Sequence, residues 1–327
     1  VYIAQMDEHD DRYVPENWIK ANPILEFDRD ALENLIPIAH TARDMGGEDL
    51  RDFLVKQLNM WMQWSNALYI KDIKEWKRCA ALRTLKDFRG SKCYVGVDLS
   101  SGGDLTSIAI VIPYMIDGVK KYFVHTHSFI PASRVDEHIK TDKVPYDVWI
   151  SKGLVTVTET LGGIKTDYKY IIRYLEDLVR EYNLKPQLIC YDPHNASAFL
   201  SDLEALGFDS VAITQTAKEL NDATVDFRLE IKAGNVVIEG TEVGKGKVVP
   251  FDELLTWSIA NAKTISNSYG EIKIDKALDE DRIDPIDAII DAWKAAMKEE
   301  YKPDTNEVVN EWLEMYEKYM GKGGEKE

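Results

Sequence analysis

A chain of 327 residues with 45% hydrophobic content is long enough to bury one full core and to carry a smaller appendage. Its three cysteines, Cys79, Cys93 and Cys190, form no CxxC pair, which argues against a disulfide framework or a locally spaced zinc site and fits a reducing, intracellular setting. No apolar run is long enough for a membrane span, and the formal charge of −17 counts against DNA binding unless a local basic strip and cation-neutralised acids offset it.

Up to about residue 88 the pattern is helical, with Leu50, Phe53, Leu54, Leu58, Trp61 and Trp64 on a helical period. Trp18, Trp61, Trp64 and Trp76 read as packing residues rather than ligand-stacking ones. The Phe88-Arg89-Gly90-Ser91-Lys92 stretch breaks the pattern, so the expected organisation is a helical module over 1–88, a main domain over 89–300, and a C-terminal helix with a flexible tail over 301–327.

From Cys93 the chain changes to short apolar runs at 93–99, 107–112 and 122–129 with no helix between them, which predicts an antiparallel meander. Helix and strand signals then alternate. A helix over 168–182 presents Ile171, Ile172, Leu175, Leu178, Val179 and Tyr182 on one face. Strand 188–191, a helix over 197–206 stopped by Gly207, strand 210–213, a helix ending at Gly234 and strand 236–239 follow. Helices over 254–262 and 285–298 complete a mixed α/β sheet flanked by helices.

Three acids stand at the ends of these elements, where a rigid sheet would place an active site. Asp98 ends the first strand in Val95-Gly96-Val97-Asp98, Asp192 follows the strand ending at Tyr191, and Asp284 opens the last long helix, with Asp287 three residues on. If the strands before Asp98 and Asp192 are neighbours, their carboxylates lie close and call for a cation. Two divalent ions about 3.5–4 Å apart could then activate a water and stabilise a leaving 3′ oxygen. Magnesium or manganese suits such all-oxygen ligands. Each acid also has a plainer reading as a turn or helix cap, since both Asp192 and Asp284 precede proline. Asn195 is an alternative cap for the following helix, His194 reads as structural, and Asp104 reads as a turn residue.

The succession Val95-Gly96-Val97-Asp98-Leu99-Ser100 and Gly103-Asp104-Leu105-Thr106-Ser107 resembles the opening of the nuclease domain in large terminases of tailed phages. The later landmarks are similar in order: Trp149 and Gly153, Tyr191-Asp192-Pro193, Thr214-Gln215-Thr216, Trp257 and Asn261, Lys276, then Arg282-Ile283-Asp284 through Ala288. The helical segment is similar to the stretch that closes that family's motor domain, in Trp18-Ile19-Lys20-Ala21-Asn22-Pro23, Leu58-Asn59-Met60-Trp61 and Trp76. The sequence contains no GxxxxGK[ST] phosphate loop, and the start at Val1 rather than methionine reads as a processed or truncated product.

The resemblance implies a ribonuclease-H-like fold and metal-dependent cleavage of concatemeric double-stranded DNA during genome packaging in the host cytoplasm. It places the catalytic and metal-binding positions on Asp98, Asp192 and Asp284, with Asp287 as a fourth acid. It further implies the portal protein and the small terminase subunit as partners. Lys152, Lys165, Lys263, Lys273 and Lys276 are candidate phosphate contacts beside their commoner role as solvated surface lysines. Two alternatives stand beside this reading: an actin- or hexokinase-like phosphotransferase, which would need a second glycine-rich hairpin after Asp192, and a non-catalytic docking module in which the acids are caps.

Overall fold

The computed structural model describes residues 4–7, 10–45, 47–60, 67–100, 105–163, 166–194, 196–276 and 282–300. Trp61, Trp64, Asp104, Lys165, Asn195 and the 301–327 segment lie outside the described residues. The chain forms two compact units, Val1–Lys71 and Asp72–Glu327.

The first unit is helical. Two short 3-10 turns, Pro15–Lys20 and Pro23–Glu26, each start with proline, whose fixed φ suits a first helical turn. They lead into α1 (Arg29–Met45) and α2 (Gly47–Lys56). Trp18 is buried against Phe53 in an edge contact with ring centroids 5.6 Å apart, beside Leu35, Ala39, Leu54 and Leu58. Its indole N–H donates to the Arg12 carbonyl at 3.0 Å, so this tryptophan is a satisfied core residue.

The second unit contains α3 (Ile73–Lys77), β1 (Ala80–Ala81), β2 (Lys92–Asp98), β3 (Thr106–Ile116), β4 (Val119–Pro131), α4 (Val135–Asp142), α5 (Tyr146–Ser151), β5 (Val155–Thr158) and α6 (Lys169–Tyr182). It continues with β6 (Lys185–Tyr191), α7 (Ser197–Ala205), β7 (Ser210–Ala212), α8 (Ala217–Ala233), β8 (Val236–Glu242) and β9 (Val248–Pro250). The last elements are α9 (Glu253–Asn261), β10 (Ala262–Ser266), β11 (Ile272–Lys276) and α10 (Asp284–Ala296). The 72–88 stretch, which the apolar pattern groups with the helical module, packs within this unit. Trp76 makes an edge contact with Phe227 of α8 and its indole donates to Thr256 of α9 at 3.2 Å, while β1 pairs in parallel with β8.

Among the described residues the main sheet runs β1-β8-β4-β3-β2-β6-β7, with β5 added to β4 and β9 to β8. The meander expected from the three apolar runs is present: β2, β3 and β4 are antiparallel neighbours. Asp117 and Gly118 connect β3 to β4 with φ of 50° and 74°, the left-handed pair a tight hairpin requires. On the other side of β2, β6 and then β7 run parallel, each reached through helical connections.

The two faces of β2 are covered by different elements. Val95 and Val97 point into an apolar core with Ile171 and Leu175 of α6 and Phe199 of α7. Gly96, with the opposite parity, lies under α10: a Cβ there would stand 1.9 Å from the Ala288 carbonyl oxygen and 2.7 Å from the Ala292 amide nitrogen. Glycine is therefore what lets the α10 backbone rest directly on the strand. Among the described residues no helix is long and apolar enough to cross a membrane.

Candidate functional site

The α10 face gathers the acids. Asp98 shares the parity of Gly96 and so emerges on the α10 side at the carboxyl end of β2. The β2–β6 register pairs Gly96 with Cys190 and Val97 with Tyr191, which places Asp192 beside Asp98 one step past the paired residues. Neighbouring strands are about 4.8 Å apart, so the two backbones reach the sheet edge at that separation. Asp284 is the first residue of α10, Asp287 lies one turn on and Asp291 a second turn on, a spacing that keeps all three on one helical face.

The electrostatics show how tightly these groups are coupled. Burial raises the Asp98 carboxyl well above the usual carboxylate range, and Asp284, Asp287, Asp291 and Asp192 each push it further. Asp287 is likewise raised well above its ordinary value, first by burial and then by Asp291 and Asp284, with Lys273 partly opposing. Asp291 is only 2% exposed and is pushed up to about 7, chiefly by burial. Against that shift, Gln215 donates from Nε2 to both Asp291 oxygens at 3.0 and 3.3 Å, and Lys294 lies close enough to favour the charged form.

Among the described residues no group of three or more histidine, cysteine, aspartate or glutamate side chains is gathered closely enough to hold a metal ion. The acids are electrostatic neighbours without converging on one point, as mutual repulsion between carboxylates favours. Their chemistry nevertheless fits a hard divalent cation, because all five are oxygen donors and the raised proton affinities of Asp98, Asp287 and Asp291 express an unmet demand for positive charge.

The capping readings resolve residue by residue. Asp192 accepts from the His194 backbone N–H at 3.0 Å, an Asx turn that occupies Oδ1, and His194 is exposed. Asp284 is not the cap of α10: that position is Ile283, and no side chain caps the helix. Lys152 is paired with Glu253 at 2.8 Å. Lys263 and Lys273 belong to the β10–β11 hairpin, and Lys273 is the one whose charge acts on Asp287.

Three features escape inspection of the sequence. Asp291 stands in an otherwise apolar stretch, Ala288-Ile289-Ile290-Asp291-Ala292-Trp293, and its signal was the seven-residue spacing from Asp284. Gly96 was visible only as part of a strand, since its role depends on what lies above it. Arg282 is held by Asp142 beside His138, about 140 residues earlier in the chain, with Tyr146 donating to the same Asp142 carboxylate, and no local pattern announces that contact.

A meander joined to parallel strands, with aspartates at adjacent strand ends and a further acid on a helix laid across them, is the layout of a ribonuclease-H-like fold. The chain belongs to the terminase large subunit, endonuclease domain family, whose model matches residues 1–300. It is 26% identical over 271 residues to the terminase large subunit of Enterobacteria phage HK97, covering 82% of this chain and 49% of that protein. It is 23% identical over 216 residues to the terminase large subunit of Lactococcus phage p2, covering 66% of this chain and 37% of that protein. The crystal structure of the HK97 bacteriophage large terminase superposes with a TM-score of 0.58 at 24% identity, over 90% of this chain and 56% of that one, a likeness of fold. The chain thus spans about half the length of the HK97 protein and less of the other. Membership of a nuclease family displaces the phosphotransferase alternative.

Proposed function

We propose that the second unit is a divalent-cation-dependent endonuclease that cuts double-stranded DNA, with Asp98, Asp192, Asp284 and Asp287 as the metal ligands. The observation that carries this reading is Asp98: a half-buried carboxyl at a strand end, with four further acids close enough to raise it, holds either a proton or a cation. With only oxygen donors in the set, magnesium or manganese is the expected ion, and two of them are the expected number. When bound, such ions supply an activated water and stabilise the leaving 3′ oxygen of an in-line phosphodiester displacement.

The chain's own residues do the positioning. Asp98 and Asp192 project from adjacent strands of a rigid sheet, and the Gly96 contact fixes the height of α10 above them. Lys273, whose charge already reaches Asp287, places a cation where a DNA phosphate would enter, with Lys263 and Lys276 on the same hairpin. Within a full terminase large subunit the substrate would be concatemeric phage DNA in the host cytoplasm, with the portal and the small subunit as partners and an ATPase motor preceding this region.

The test is conversion of supercoiled plasmid to nicked and linear forms at low salt, with manganese, magnesium or chelator. The expected outcome is cleavage with either metal, none with chelator, and a loss of 100-fold or more in Asp192→Asn. Inert wild-type protein in manganese at low salt would remove the nuclease reading from the isolated chain. Full cleavage by Asp192→Asn would remove Asp192 from the ligand set.

A further inference from the structure

Between β4 and β5 the chain inserts α4 and α5, and one side chain there is wholly buried although charged. Asp142, the last residue of α4, has a side chain 0% exposed. Its Oδ2 accepts from the Tyr146 hydroxyl at 2.8 Å, from Arg282 Nε at 3.1 Å and from His138 Nδ1 at 3.1 Å. Its Oδ1 accepts from the Thr141 hydroxyl at 2.8 Å and from Arg282 Nη2 at 3.3 Å. His138 is 2% exposed, and its Nδ1 also lies 3.1 Å from Arg282 Nη2. The Arg282 side chain is 11% exposed. Burial works against the charge on Asp142, but the hydrogen bonds from His138, Arg282, Thr141 and Tyr146 outweigh it and hold the carboxyl well below the usual range.

A buried ion pair is a poor device for stability, because desolvation cancels most of its attraction; what it fixes is orientation. The orientation at stake here is that of the first turn of α10. Arg282 stands directly before the N-cap Ile283, where no side chain caps the helix, and two residues before Asp284. Asp284 in turn lies close enough to Tyr146 for its charge to raise the phenol's proton affinity, after larger contributions from burial and Asp142. The anchor and the acid are adjoining parts of one structure.

We propose that Arg282, gripped by the Asp142 carboxylate that His138 and Tyr146 in turn hold, is a positioning residue that sets the start of α10 and hence the aim of Asp284, so that cation affinity at the acidic cluster depends on this anchor in the α4–α5 insert. The inference rests on the metal-ligand reading above. Partners that orient a ligand without touching the ion typically contribute about 10–100-fold in metal affinity.

The experiment is calorimetric titration of the metal-free full chain with manganese alone, accompanied by thermal melts. The variants are Arg282→Lys, which keeps the charge but loses the fork, Tyr146→Phe, which removes one hydroxyl, Asp284→Asn, and Val179→Ala on α6 as a stability control. The expected result is manganese binding weakened about 10-fold or more in Arg282→Lys and about threefold in Tyr146→Phe, while Val179→Ala melts earlier with unchanged affinity. Folded Arg282→Lys binding within twofold of wild type, with Asp284→Asn clearly weakened, would overturn the anchor and leave the ligand reading standing. Unchanged binding in Asp284→Asn, or no binding by the wild type, would overturn both. If Arg282→Lys does not fold, Tyr146→Phe decides: weakening supports the anchor and unchanged affinity overturns it.

Discussion

The two faces of the central strands bury titratable groups in opposite ways. On the α6 face, His125 and His127 of β4 lie in the core against Tyr174, and each is satisfied as a neutral ring: His125 Nε2 meets the Tyr174 hydroxyl at 2.7 Å and His127 Nε2 meets Thr156 at 2.8 Å. Burial depresses them to about 4 and about 3 respectively, so the folded state holds them uncharged. On the α10 face, Asp98, Asp287 and Asp291 are raised by burial and by neighbouring acids, and Gln215, Lys273 and Lys294 offset this only in part. One face is settled by hydrogen bonds within the chain, whereas the other is left with a need that only protons or cations meet. Frustration confined to one face is how a fold stores a binding site at a cost in its own stability.

The largest effect should come from closing the gap that keeps α10 down on the sheet. Gly96→Ala puts a methyl group 1.9 Å from the Ala288 carbonyl, and backbone cannot yield as a side chain does. Expected is a stability loss of about 1–3 kcal/mol or more, as overpacking gives, with cleavage per folded molecule reduced 100-fold or more because Asp284 and Asp287 are lifted from Asp98. Val95→Ala, fully buried on the α6 face, is the counterpart. It should cost on the order of 2 kcal/mol through a cavity and leave cleavage per folded molecule unchanged. Urea melts and plasmid assays on the two variants would break the comparison if both, or neither, lost activity.

The same contrast explains what could be read in advance. The meander, the α6 helix and the placement of Asp98, Asp192 and Asp284 at element ends were legible because each rests on local signals: a short apolar run over 107–112, a helical apolar stripe from Ile171 to Tyr182, and an acid where a strand or helix changes. Asp291 was hidden because one polar residue in an apolar helix looks like noise until the helix is known to lie on Gly96. The hairpin of β10 and β11 was missed because Lys263 to Ile274 alternates only weakly around a polar turn. The 72–88 segment is helical in pattern at Trp76, yet its partners are Phe227 and Thr256, contacts that no local rule anticipates.

Stability against pH sharpens the comparison, because the two faces respond with opposite sign. Acids raised in the folded state bind protons that the unfolded chain has released, so their contribution is present at low pH and is lost as pH rises from about 4 through about 7 for Asp291. Histidines depressed in the folded state stay neutral while the unfolded chain protonates, so their contribution is lost as pH falls from about 6.5 through about 4 for His125. Cations should act on the first limb alone. Manganese at about 100 times its dissociation constant is expected to raise the melting temperature by roughly 5–10 °C at pH 7.5. The gain should vanish near pH 4.5, where protons occupy the cluster. A gain independent of pH between those values would mean that the ion binds elsewhere.

The smallest effects should come from the polar partners, and they differ in kind between the faces. Gln215 donates to both Asp291 oxygens and to the Ile213 carbonyl at 3.2 Å, and its amide is the largest influence favouring ionised Asp291. Gln215→Ala therefore pushes Asp291 further up from about 7, leaving it more protonated at neutral pH. If the ionised form helps hold the cation, cleavage should fall about three- to tenfold at pH 7 and recover by pH 8.5, a shift worth roughly 1 kcal/mol. Tyr174→Phe removes the hydroxyl partner of His125 at a similar cost in stability, but away from the α10 acids, so its pH–rate profile should overlay that of the wild type. A pH-independent loss in Gln215→Ala would reduce that residue to packing, and a displaced profile in Tyr174→Phe would mean that the two faces are coupled through the sheet.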